Sequence, residues 1–572
     1  MFYALWLLCG FLFAAWSPRG VAVLVDFQVT QPPPVPQDAK QCTIQILQRD
    51  FAFSFGDPEI VEFSPPTDCG APGSWAAVTL NFTVTSNGTQ FDRLGIFTFQ
   101  NVEIWRTSTP EPTLDGIIWT YVKDVTRYTP LFAKPGTFIL ELDNLIETGL
   151  NGVYSTVLHA TFFASSPANP PAKQANTIIP LSTLSNTSGN DASVPPGFSI
   201  NVTLPQNTVE GAWAIYPSGN GDEEFWYFNI ANEFLADFPA GTIGEGPFRE
   251  VRLLVDGMVA GVAFPYPVIF TGGILPPAWR PITSYGALDL PTYFLDLTPF
   301  VPILTDGKSH NFTIDVASAE VDHTINQNWF VSGLLQVITD SSSKPTTGKI
   351  TKYSAEDFAV TTTTGSTDAT GDVNITVTAS RKIEISASIL SGSGKQTDVV
   401  WSQNLEYTNQ QSYFGLVQNL FQSSSGSVLS THNNVPTVVD TFSYPITINF
   451  TSLNDAGSIF TTTFDHSYDR ILLPAPFILG STINERQVAG GIFVEVSTGN
   501  SGNGTSNNTF SYIDTVGNTF NWRVDAAFDD ITLNVRSGSL STHAPAFPNV
   551  PKADVSGFAK ARLPPGRGKE GQ

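Results

Sequence analysis

The chain has 572 residues, of which 51 are acidic and 28 are basic, so its formal net charge is −23 at neutral pH. That balance excludes a basic nucleic-acid-binding protein, because such proteins neutralise phosphates with clustered lysine and arginine. Only 14% of the residues are charged, against roughly 25% in an average soluble protein, which argues against long solvated helices and coiled coils. The length and the many glycines and prolines predict a turn-rich protein of several domains.

Residues 1–20 carry the features of a secretion signal. The apolar run at 2–16 is short for a membrane span, which takes about 20 residues, and the breaker Ser-Pro-Arg-Gly follows it. We therefore expect a signal peptide over 1–20 and a secreted or vacuolar protein. A signal anchor in a membrane is the alternative, because no basic residue precedes the run. The basic tail at 551–572 is expected to lack a fixed structure.

Removal of the signal peptide takes Cys9 with it and leaves two cysteines, Cys42 and Cys69. A pair of cysteines in a chain bound for an oxidising compartment predicts a Cys42–Cys69 disulfide. Nine Asn-X-Ser/Thr sequons permit secretion without proving it, because a chain rich in these residues contains many by chance. The sequons are at Asn81, Asn87, Asn186, Asn201, Asn311, Asn374, Asn449, Asn503 and Asn507.

Short runs of alternating apolar and polar residues recur along the chain, a pattern typical of β-strands. In residues 78–104, one alternating run is followed by the turn Ser86-Asn87-Gly88 and then by another run, which predicts a β-hairpin. Similar runs follow at 137–144, 153–163, 250–264, 310–317 and 329–338. Because no helical periods separate them, they predict an all-β protein made of antiparallel sandwiches and not a βαβ sheet.

Two linker-like segments divide the chain, a Pro-rich one at 164–173 and a Ser/Thr/Pro-rich one at 341–348. We expect a first β-sandwich over 21–168, a second over 169–345 and a C-terminal β-rich domain over 346–550. In the last of these, the alternating runs at 373–377 and 383–389 accompany polar tracts at 361–372 and 499–509, which we interpret as separators.

Most catalytic motifs are absent from the sequence. The six histidines are scattered and form no His-Glu-X-X-His and no Cys/His pair at zinc spacing, so we expect no metal. The two mature cysteines suit a bridge better than a nucleophile. The segment Gly-Glu-Gly-Pro-Phe at 244–248 does not open a helix after a strand, so a dinucleotide site is not expected. We expect no cofactor.

What remains is a set of carboxylates among aromatic residues, in the segments 91–93, 102–112, 140–144, 222–227 and 276–281. Carbohydrate sites combine these residue types, because aromatic rings lie on sugar faces while Asp, Glu and Arg bond the hydroxyls. A sandwich core with a charged rim produces the same pattern. The residues predicted to contact substrate are Arg93, Glu103, Trp105, Arg106, Trp119, Trp226, Trp279 and Arg280.

Two stretches, 90–131 and 267–310, resemble the hallmark stretches of the PNGase A family, acidic peptide-N-glycosidases that cut the amide between an N-glycan and asparagine. The resemblance runs from about Cys42 to Asp340 and departs at Asp50, where family members often carry His. It implies an amidase acting on N-glycopeptides or N-glycoproteins, as a monomer or a chain-clipped heterodimer. A glycan-binding or cell-surface sandwich without activity is the alternative, and a glycosidase is the third reading.

A fainter similarity to the bacterial peptide-N-glycosidase, which has two jelly rolls, implies jelly-roll-type sandwiches here. Its catalytic Asp lies in a Trp-Asp-Arg triplet, which Phe91-Asp92-Arg93 matches except for the aromatic residue. Its catalytic Glu matches Glu224. Its third acid falls on Asp143, and a slip of one residue would choose Asn144 instead.

These matches imply a division of chemical roles. An amide is a poor electrophile, so water must be aimed at the carbonyl while the leaving nitrogen receives a proton. Asp92 would orient and activate the attack, Glu224 would supply the complementary hydrogen bond or proton, and Asp143 would hold the first sugar. Arg93 would keep Asp92 ionised. As structural alternatives, Asp92 caps a turn and Glu224 belongs to an exposed acidic cluster. Paired carboxylates predict a bell-shaped pH profile with an acidic optimum.

Overall fold

The computed structural model describes residues 23–183, 191–475, 477–495 and 500–542. The expected signal peptide at 1–20 and basic tail at 551–572 lie outside the described residues. The part of the chain that is described forms 30 β-strands and two single-turn α-helices. This architecture confirms the prediction of an all-β protein, while the jelly-roll topology stays a prediction.

The first unit consists of two sheets packed face to face. One sheet has the order β2-β9-β4-β7-β1 and gains a sixth strand from later in the chain; the other has the order β3-β8-β5-β6. Rings from the two sheets meet in the core, where Phe82 and Phe97 lie 5.0 Å apart edge to face. The strands are β1 Leu24–Gln28, β2 Gln41–Phe51, β3 Glu59–Phe63, β4 Ala77–Ser86, β5 Leu94–Phe99, β6 Val102–Ser108, β7 Ile117–Asp124, β8 Gly136–Leu142 and β9 Tyr154–Phe163.

The second unit is also a pair of sheets. Their orders are β10-β19-β13-β17, with β11 added on β19, and β12-β18-β14-β15. The strand β16 leaves this unit and pairs in parallel with β1, through Phe27 opposite Ile282. The strands are β10 Thr177–Leu181, β11 Ala192–Val194, β12 Phe198–Val202, β13 Thr208–Asn220, β14 Glu250–Val255, β15 Met258–Ala263, β16 Ile282–Thr283, β17 Tyr293–Asp296, β18 His310–Ala317 and β19 Asn328–Thr339.

The third unit is one large antiparallel sheet, in which neighbouring strands follow one another almost in chain order. Along its strands, buried and exposed residues alternate, because one face covers the core of the second unit and the other faces solvent. The strands are β20 Thr347–Ser354, β21 Val360–Thr367, β22 Val373–Leu390, β23 Gln396–Phe414, β24 Val417–His432, β25 Val435–Ser452, β26 Ile459–Leu472, β27 Ser481–Val494, β28 Ser501–Asp514, β29 Thr519–Ala527 and β30 Asp530–Ser537.

Most of the polar tracts at 361–372 and 499–509 is strand, contrary to the sequence-based interpretation of them as separators. β21 extends to Thr367, before the turn into β22, and β28 begins at Ser501. In β28 the first inward-facing residues, Gly504, Ser506 and Asn508, are small or polar, and Phe510 and Tyr512 follow them; the Asn508 amide nitrogen donates to Ser506 Oγ at 3.0 Å. A strand with one solvated face needs no apolar residues on that face, which is why composition alone misled here.

Helices are few and short in the described ranges. None of them is long and apolar enough to cross a membrane. The α-helices are α1 Thr129–Phe132 and α2 Val301–Leu304, and the 3₁₀ turns are Thr126–Tyr128, Gly221–Glu223, Trp226–Phe228, Asn232–Asp237, Pro276–Trp279 and Thr298–Phe300.

The hairpin predicted over 78–104 is wrong. β4 pairs with β7 and β9 in one sheet, whereas β5 pairs with β6 and β8 in the facing sheet. Residues 87–93 therefore cross from one sheet to the other at the end of the sandwich. Alternation identifies a strand but not its partner, since both sheets turn an apolar face to the same core. The consequence is that Asp92 lies in a crossing segment and not after a hairpin turn.

A buried polar contact joins the first two units. The Arg106 guanidinium donates to both oxygens of Glu103, at 2.7 and 2.8 Å, and also to Ser218 Oγ and the Phe330 carbonyl, each at 2.8 Å. Ser332 Oγ donates to Glu103 as well. Because Glu103 and Arg106 belong to the first unit and the other three residues to the second, this ion pair pins one sandwich to the other. We call it the seam pair.

The predicted Cys42–Cys69 disulfide is confirmed, with the two Cα atoms 5.9 Å apart. It joins β2 to the loop between β3 and β4.

Candidate active site

Two neighbouring chain segments bring Asp92 and Glu111 to the same end of the first sandwich. The ladder between β5 and β6 continues one residue further, because the Arg93 and Thr109 backbones are joined by a 2.9 Å bond from Thr109 N to Arg93 O. Thr109 Oγ1 also accepts a bond of 2.9 Å from Arg93 N. Asp92 and Glu111 lie just beyond this last rung, and both side chains are half-buried.

Tyr154 holds these two segments together from the core of the first unit. Its hydroxyl lies 2.7 Å from the Phe91 carbonyl and 3.4 Å from the Pro110 carbonyl, to which it donates. Phe91 and Pro110 are the residues immediately before Asp92 and Glu111. The ring is completely buried, and burial raises the pKa of Tyr154, with a further rise from the charges of Asp92 and Glu111. Tyr154 is therefore a neutral clamp between the two acid-bearing segments.

The second unit closes the site with the loop Thr271-Gly272-Gly273. Thr271 Oγ1 donates to the Thr109 carbonyl at 2.7 Å. A Cβ at Gly272 would stand 2.3 Å from Glu111 Oε1 and 2.4 Å from Asp92 Oδ1, so these two oxygens lie at most 4.7 Å apart, the sum of those distances. Glycine at position 272 thus allows two carboxylates from one sandwich to converge on the backbone of the other.

Trp279 supports this loop from the side of the third unit. Its indole donates to the Gly273 carbonyl at 2.9 Å, and its ring packs 4.8 Å from that of Phe464 in β26. Trp279 was predicted to contact substrate, and the structure corrects that prediction, because the side chain is buried beneath the loop.

Arg280 is the cation of this region, and it faces several acids. Its Nη2 lies 3.8 Å from Glu111 Oε2 and donates to the Glu111 carbonyl at 3.3 Å. Burial raises the pKa of Asp26 to about 8, and the charge of Arg280 only partly opposes that rise. Burial likewise raises the pKa of Asp529, in the hairpin between β29 and β30, again against Arg280. The Arg280 guanidinium therefore interacts electrostatically with carboxylates from both the first and the third unit.

Glu224 belongs to the second unit, in the segment whose next residue contacts the glycine loop. Its neighbour Phe225 approaches that loop closely, with Cε1 3.1 Å from the place of a Cβ at Gly273. Glu224 is half-buried, whereas the adjacent Glu223 is buried and forms a bidentate pair with Arg249 at 2.5 and 2.6 Å. Of these two neighbouring acids, Glu223 is committed to the fold.

Asp143 is half-buried and accepts a 2.9 Å bond from the Gly56 backbone. Burial raises its pKa, and the Gly56 bond and the Arg93 charge oppose the rise. Arg93 itself donates to Asn144 Oδ1 at 3.3 Å. The register alternative Asn144 is completely buried, and its amide donates to two backbone carbonyls, so Asp143 is the residue of this pair that has exposed surface.

The other predicted sugar-binding side chains are also structural. Trp105, Trp119 and Trp226 are at most 3% exposed, and Trp105 stacks on Phe97 with ring centroids 4.6 Å apart. Glu103 and Arg106 form the seam pair. These side chains are buried for two physical reasons: a sandwich turns its largest rings inward to fill the core, and the seam pair is enclosed between the two units.

Sequence reasoning missed two exposed rings beside Asp143. Phe53 is 72% exposed and Phe55 is 61% exposed, and both belong to the loop between β2 and β3 that also supplies the Gly56 bond to Asp143. The signal was present in the three phenylalanines at alternate positions before Gly-Asp-Pro. Asp50, which precedes Phe51 at the end of β2, is exposed.

Metal sites and other grooves were the remaining candidates for a functional site. Among the described ranges, no group of three or more His, Cys, Asp and Glu side chains is arranged to hold a metal ion. A groove of about 440 Å³ lies on the outer face of the third unit, lined by polar side chains that include Asp469, Arg486 and Arg523. Because residues of the third unit alone line it, it contains none of the acids described above.

The fold and the site define a protein of two β-sandwiches with converging carboxylates at their junction, covered by a third, single sheet. The chain belongs to the PNGase A family: a family model described as Peptide N-acetyl-beta-D-glucosaminyl asparaginase amidase A matches residues 31–356. A second model, described as PNGase_A C-terminal domain, matches residues 374–446. The family resemblance stated from the sequence is thereby confirmed.

Over 351 residues the chain is 37% identical to the Peptide-N4-(N-acetyl-beta-glucosaminyl)asparagine amidase A of Prunus dulcis. That alignment covers 58% of this chain and 60% of the Prunus dulcis protein.

Proposed function

We propose that this protein is a peptide-N-glycosidase that hydrolyses the amide between an N-glycan and asparagine in glycopeptides or glycoproteins. The observation that carries the proposal is the convergence of Asp92 and a second carboxylate on the Gly272 backbone, in a member of a family described by that amidase activity. Hydrolysis leaves aspartate in the peptide and releases the glycan as a glycosylamine.

The arrangement of acids suits this chemistry. Water has to lose a proton as its oxygen bonds to the amide carbon, and the nitrogen has to gain one as the carbon–nitrogen bond breaks. Asp92 orients and activates the attack, and a second acid supplies the proton. Glu224, next to Phe225 in the second unit, is a hydrogen-bonding group for the substrate.

The region around Asp143 suits recognition of the sugar. A carboxylate that keeps exposed surface accepts hydrogen bonds from sugar hydroxyls, and the exposed faces of Phe53 and Phe55 offer the flat apolar surface on which a sugar ring stacks. Asp143 therefore binds the first N-acetylglucosamine, with one or both phenylalanine rings beside it.

The setting follows from the same proposal. The protein works in a secreted or vacuolar compartment, and the Cys42–Cys69 disulfide supports an oxidising route. It acts as a monomer or as a heterodimer clipped from one chain.

Incubation of a defined glycopeptide in heavy-oxygen water tests the function. An amidase places the label in the new aspartate carboxylate of the peptide, which mass spectrometry detects. Cleavage between sugars would identify a glycosidase instead. Binding of the glycopeptide without cleavage would identify a glycan-binding protein, an outcome that the exposed Phe53 and Phe55 also suit. The Asp92→Asn variant is the negative control.

A further inference from the structure

We propose that Asp92 and Glu111 share a single proton and that this pair, and not Asp92 with Glu224, transfers the protons of the hydrolysis. The inference rests on the proposed function, since it assigns the second acid of that same reaction. Glu111 was not among the residues predicted to act, although it lies in the segment 102–112 that drew attention for its carboxylates.

The distance between the two acids is the first argument. Glu111 Oε1 and Asp92 Oδ1 are at most 4.7 Å apart, and both side chains are half-buried. Two carboxylates at this separation do not both ionise readily where water is limited, because each negative charge disfavours the other. The pair therefore titrates as a unit in two steps, and its working form carries one proton.

The two arginines near the pair also interact with other groups. Arg280 lies 3.8 Å from Glu111 but also acts on Asp26 and Asp529. The guanidinium of Arg93 is directed to Gln90 and Asn144, at 2.8 and 3.3 Å.

Neither Tyr154 nor Asp143, the two other titratable groups described above near the pair, adds a positive charge. Tyr154 is neutral because its pKa is raised. Asp143, on the far side of Arg93, is itself an acid whose pKa is raised by burial. One shared proton removes one of the two negative charges, and it thereby reduces the repulsion between the acids.

Several contacts hold the two acid-bearing segments together. Tyr154 bonds the backbones of the residues before each acid, and the bond between Arg93 and Thr109 fixes the two segments at one rung. Tyr154 is therefore a positioning residue that acts through Asp92 and Glu111. Gly272 lets both carboxylates reach the same point on the opposite wall.

The pair of acids holds one proton before and after each turnover. The ionised member of the pair accepts a proton from water as the water oxygen bonds to the amide carbon. The protonated member gives its proton to the amide nitrogen as the carbon–nitrogen bond breaks. The pair ends with one proton, as it began, and the products are the carboxylic acid of aspartate and the glycosylamine.

Kinetics of Glu111→Gln on one glycopeptide provide the main test. We expect kcat to fall at least a hundredfold with KM nearly unchanged, and the bell-shaped pH profile to become a single-step curve, because one acid remains to titrate. Asp115→Asn, an exposed acid in the same connecting segment, is the matched control and should retain wild-type kinetics.

Two further variants separate positioning from stability. Gly272→Ala places a methyl group against the ends of both carboxylates and not against backbone, so the carboxylates have to move and kcat should fall at least tenfold, while the melting temperature should change less than it does in a core variant. Gly211→Ala is its control, because a Cβ there has only ordinary contacts, at 3.6 Å or more. Tyr154→Phe should lower kcat more than Tyr121→Phe, whose hydroxyl bonds Asp289 at 3.2 Å and not the acid segments.

The outcomes distinguish this inference from the proposed function. If the wild type hydrolyses the amide but Glu111→Gln keeps its rate and its bell-shaped profile, the pair is wrong and the function stands. If the wild type adds no label to aspartate, the function is wrong. Carbon-13 NMR of labelled aspartate carboxyls then judges the shared proton by itself: Asp92 should titrate in two steps in the wild type and in one step in Glu111→Gln. One step in both proteins would overturn the pair.

Discussion

Two acid clusters of the first unit lie close together in the sequence and differ completely in the structure. In the seam pair, Glu103 is 1% exposed and both of its oxygens accept bonds from Arg106. In the second cluster, Asp92 and Glu111 are half-buried and meet each other at a glycine. In the seam pair, both Glu103 oxygens accept hydrogen bonds from protein groups, so the carboxylate has a purely structural role. In the second cluster, two acids compete for one proton. What distinguishes a structural acid from a reactive one here is its partner and not its residue type.

The largest effect is expected at the reactive cluster. Asp92→Asn keeps the shape of the side chain and removes its charge, so glycopeptide hydrolysis should fall by orders of magnitude. The melting temperature should change little, because the change deletes no core packing. Turnover by the purified variant and its thermal melting curve are the two measurements. Near-normal turnover would show that Asp92, like the seam pair, has no catalytic role.

The opposite pattern is expected at the seam pair. Arg106→Met leaves the Glu103 charge buried without its ion-pair partner, which typically destabilises a protein by about 3–5 kcal/mol. The melting temperature should therefore fall markedly, while the activity per folded molecule at low temperature stays near the wild-type value. The double variant Arg106→Met with Glu103→Leu should recover much of the stability, since it removes both buried charges. Equal losses in the single and double variants would contradict the assignment.

Asp26 is a third kind of acid, buried with neither an ion-pair partner at contact distance nor a hydrogen bond to its carboxylate among the described residues. Its pKa is about 8 in the folded protein because of burial, against about 3.9 in an unfolded chain. The stability that protonated Asp26 contributes is thus fully present below about pH 4 and is lost as the pH rises to about 8.

Asp26→Asn tests this pH dependence, because the amide cannot ionise. The melting temperature of the wild type should fall relative to that of the variant between about pH 4 and pH 8. Glu250, whose pKa burial raises to about 6, is present in both proteins and cancels in the comparison. Parallel curves for the two proteins would mean that Asp26 gains a partner or water in solution.

The smallest effect is expected at the exposed rings. Phe53→Ala or Phe55→Ala should raise KM by up to about tenfold, because one aromatic stacking contact contributes roughly 0.5–1.5 kcal/mol, and kcat should change little. Trp105→Phe is the contrasting variant, since its ring is in the core and the change should lower stability without affecting KM. Glycopeptide kinetics at two sugar chain lengths would measure both. An unchanged KM in both alanine variants would remove these rings from the site.

The same contrast explains what the sequence predicted. Alternation identified strands, and the Phe91-Asp92-Arg93 triplet pointed to Asp92, because both are local patterns. The sheet partner of β4 was mispredicted, since β4 pairs with β7 and β9 from later in the chain, whereas β5 pairs with the adjacent β6. Glu111 was missed for the same reason: its meeting with Asp92 depends on Gly272, some 160 positions later. The buried tryptophans were misassigned because a residue type does not report its exposure.

The parallel pairing of β1 with β16 has a consequence for the order of folding. The six-stranded sheet of the first unit remains incomplete until Ile282 and Thr283 have been synthesised and threaded beside Phe27 and Gln28. The glycine loop that receives the two acids comes shortly before them in the chain. Synthesis from the N-terminus thus yields an unfinished first sandwich. A separately expressed fragment 21–168 would lack β16, and a fragment 169–345 would contain β16 without the sheet that it joins. The candidate site therefore forms only after about half of the chain has been synthesised, because Gly272 and β16 are needed to complete it.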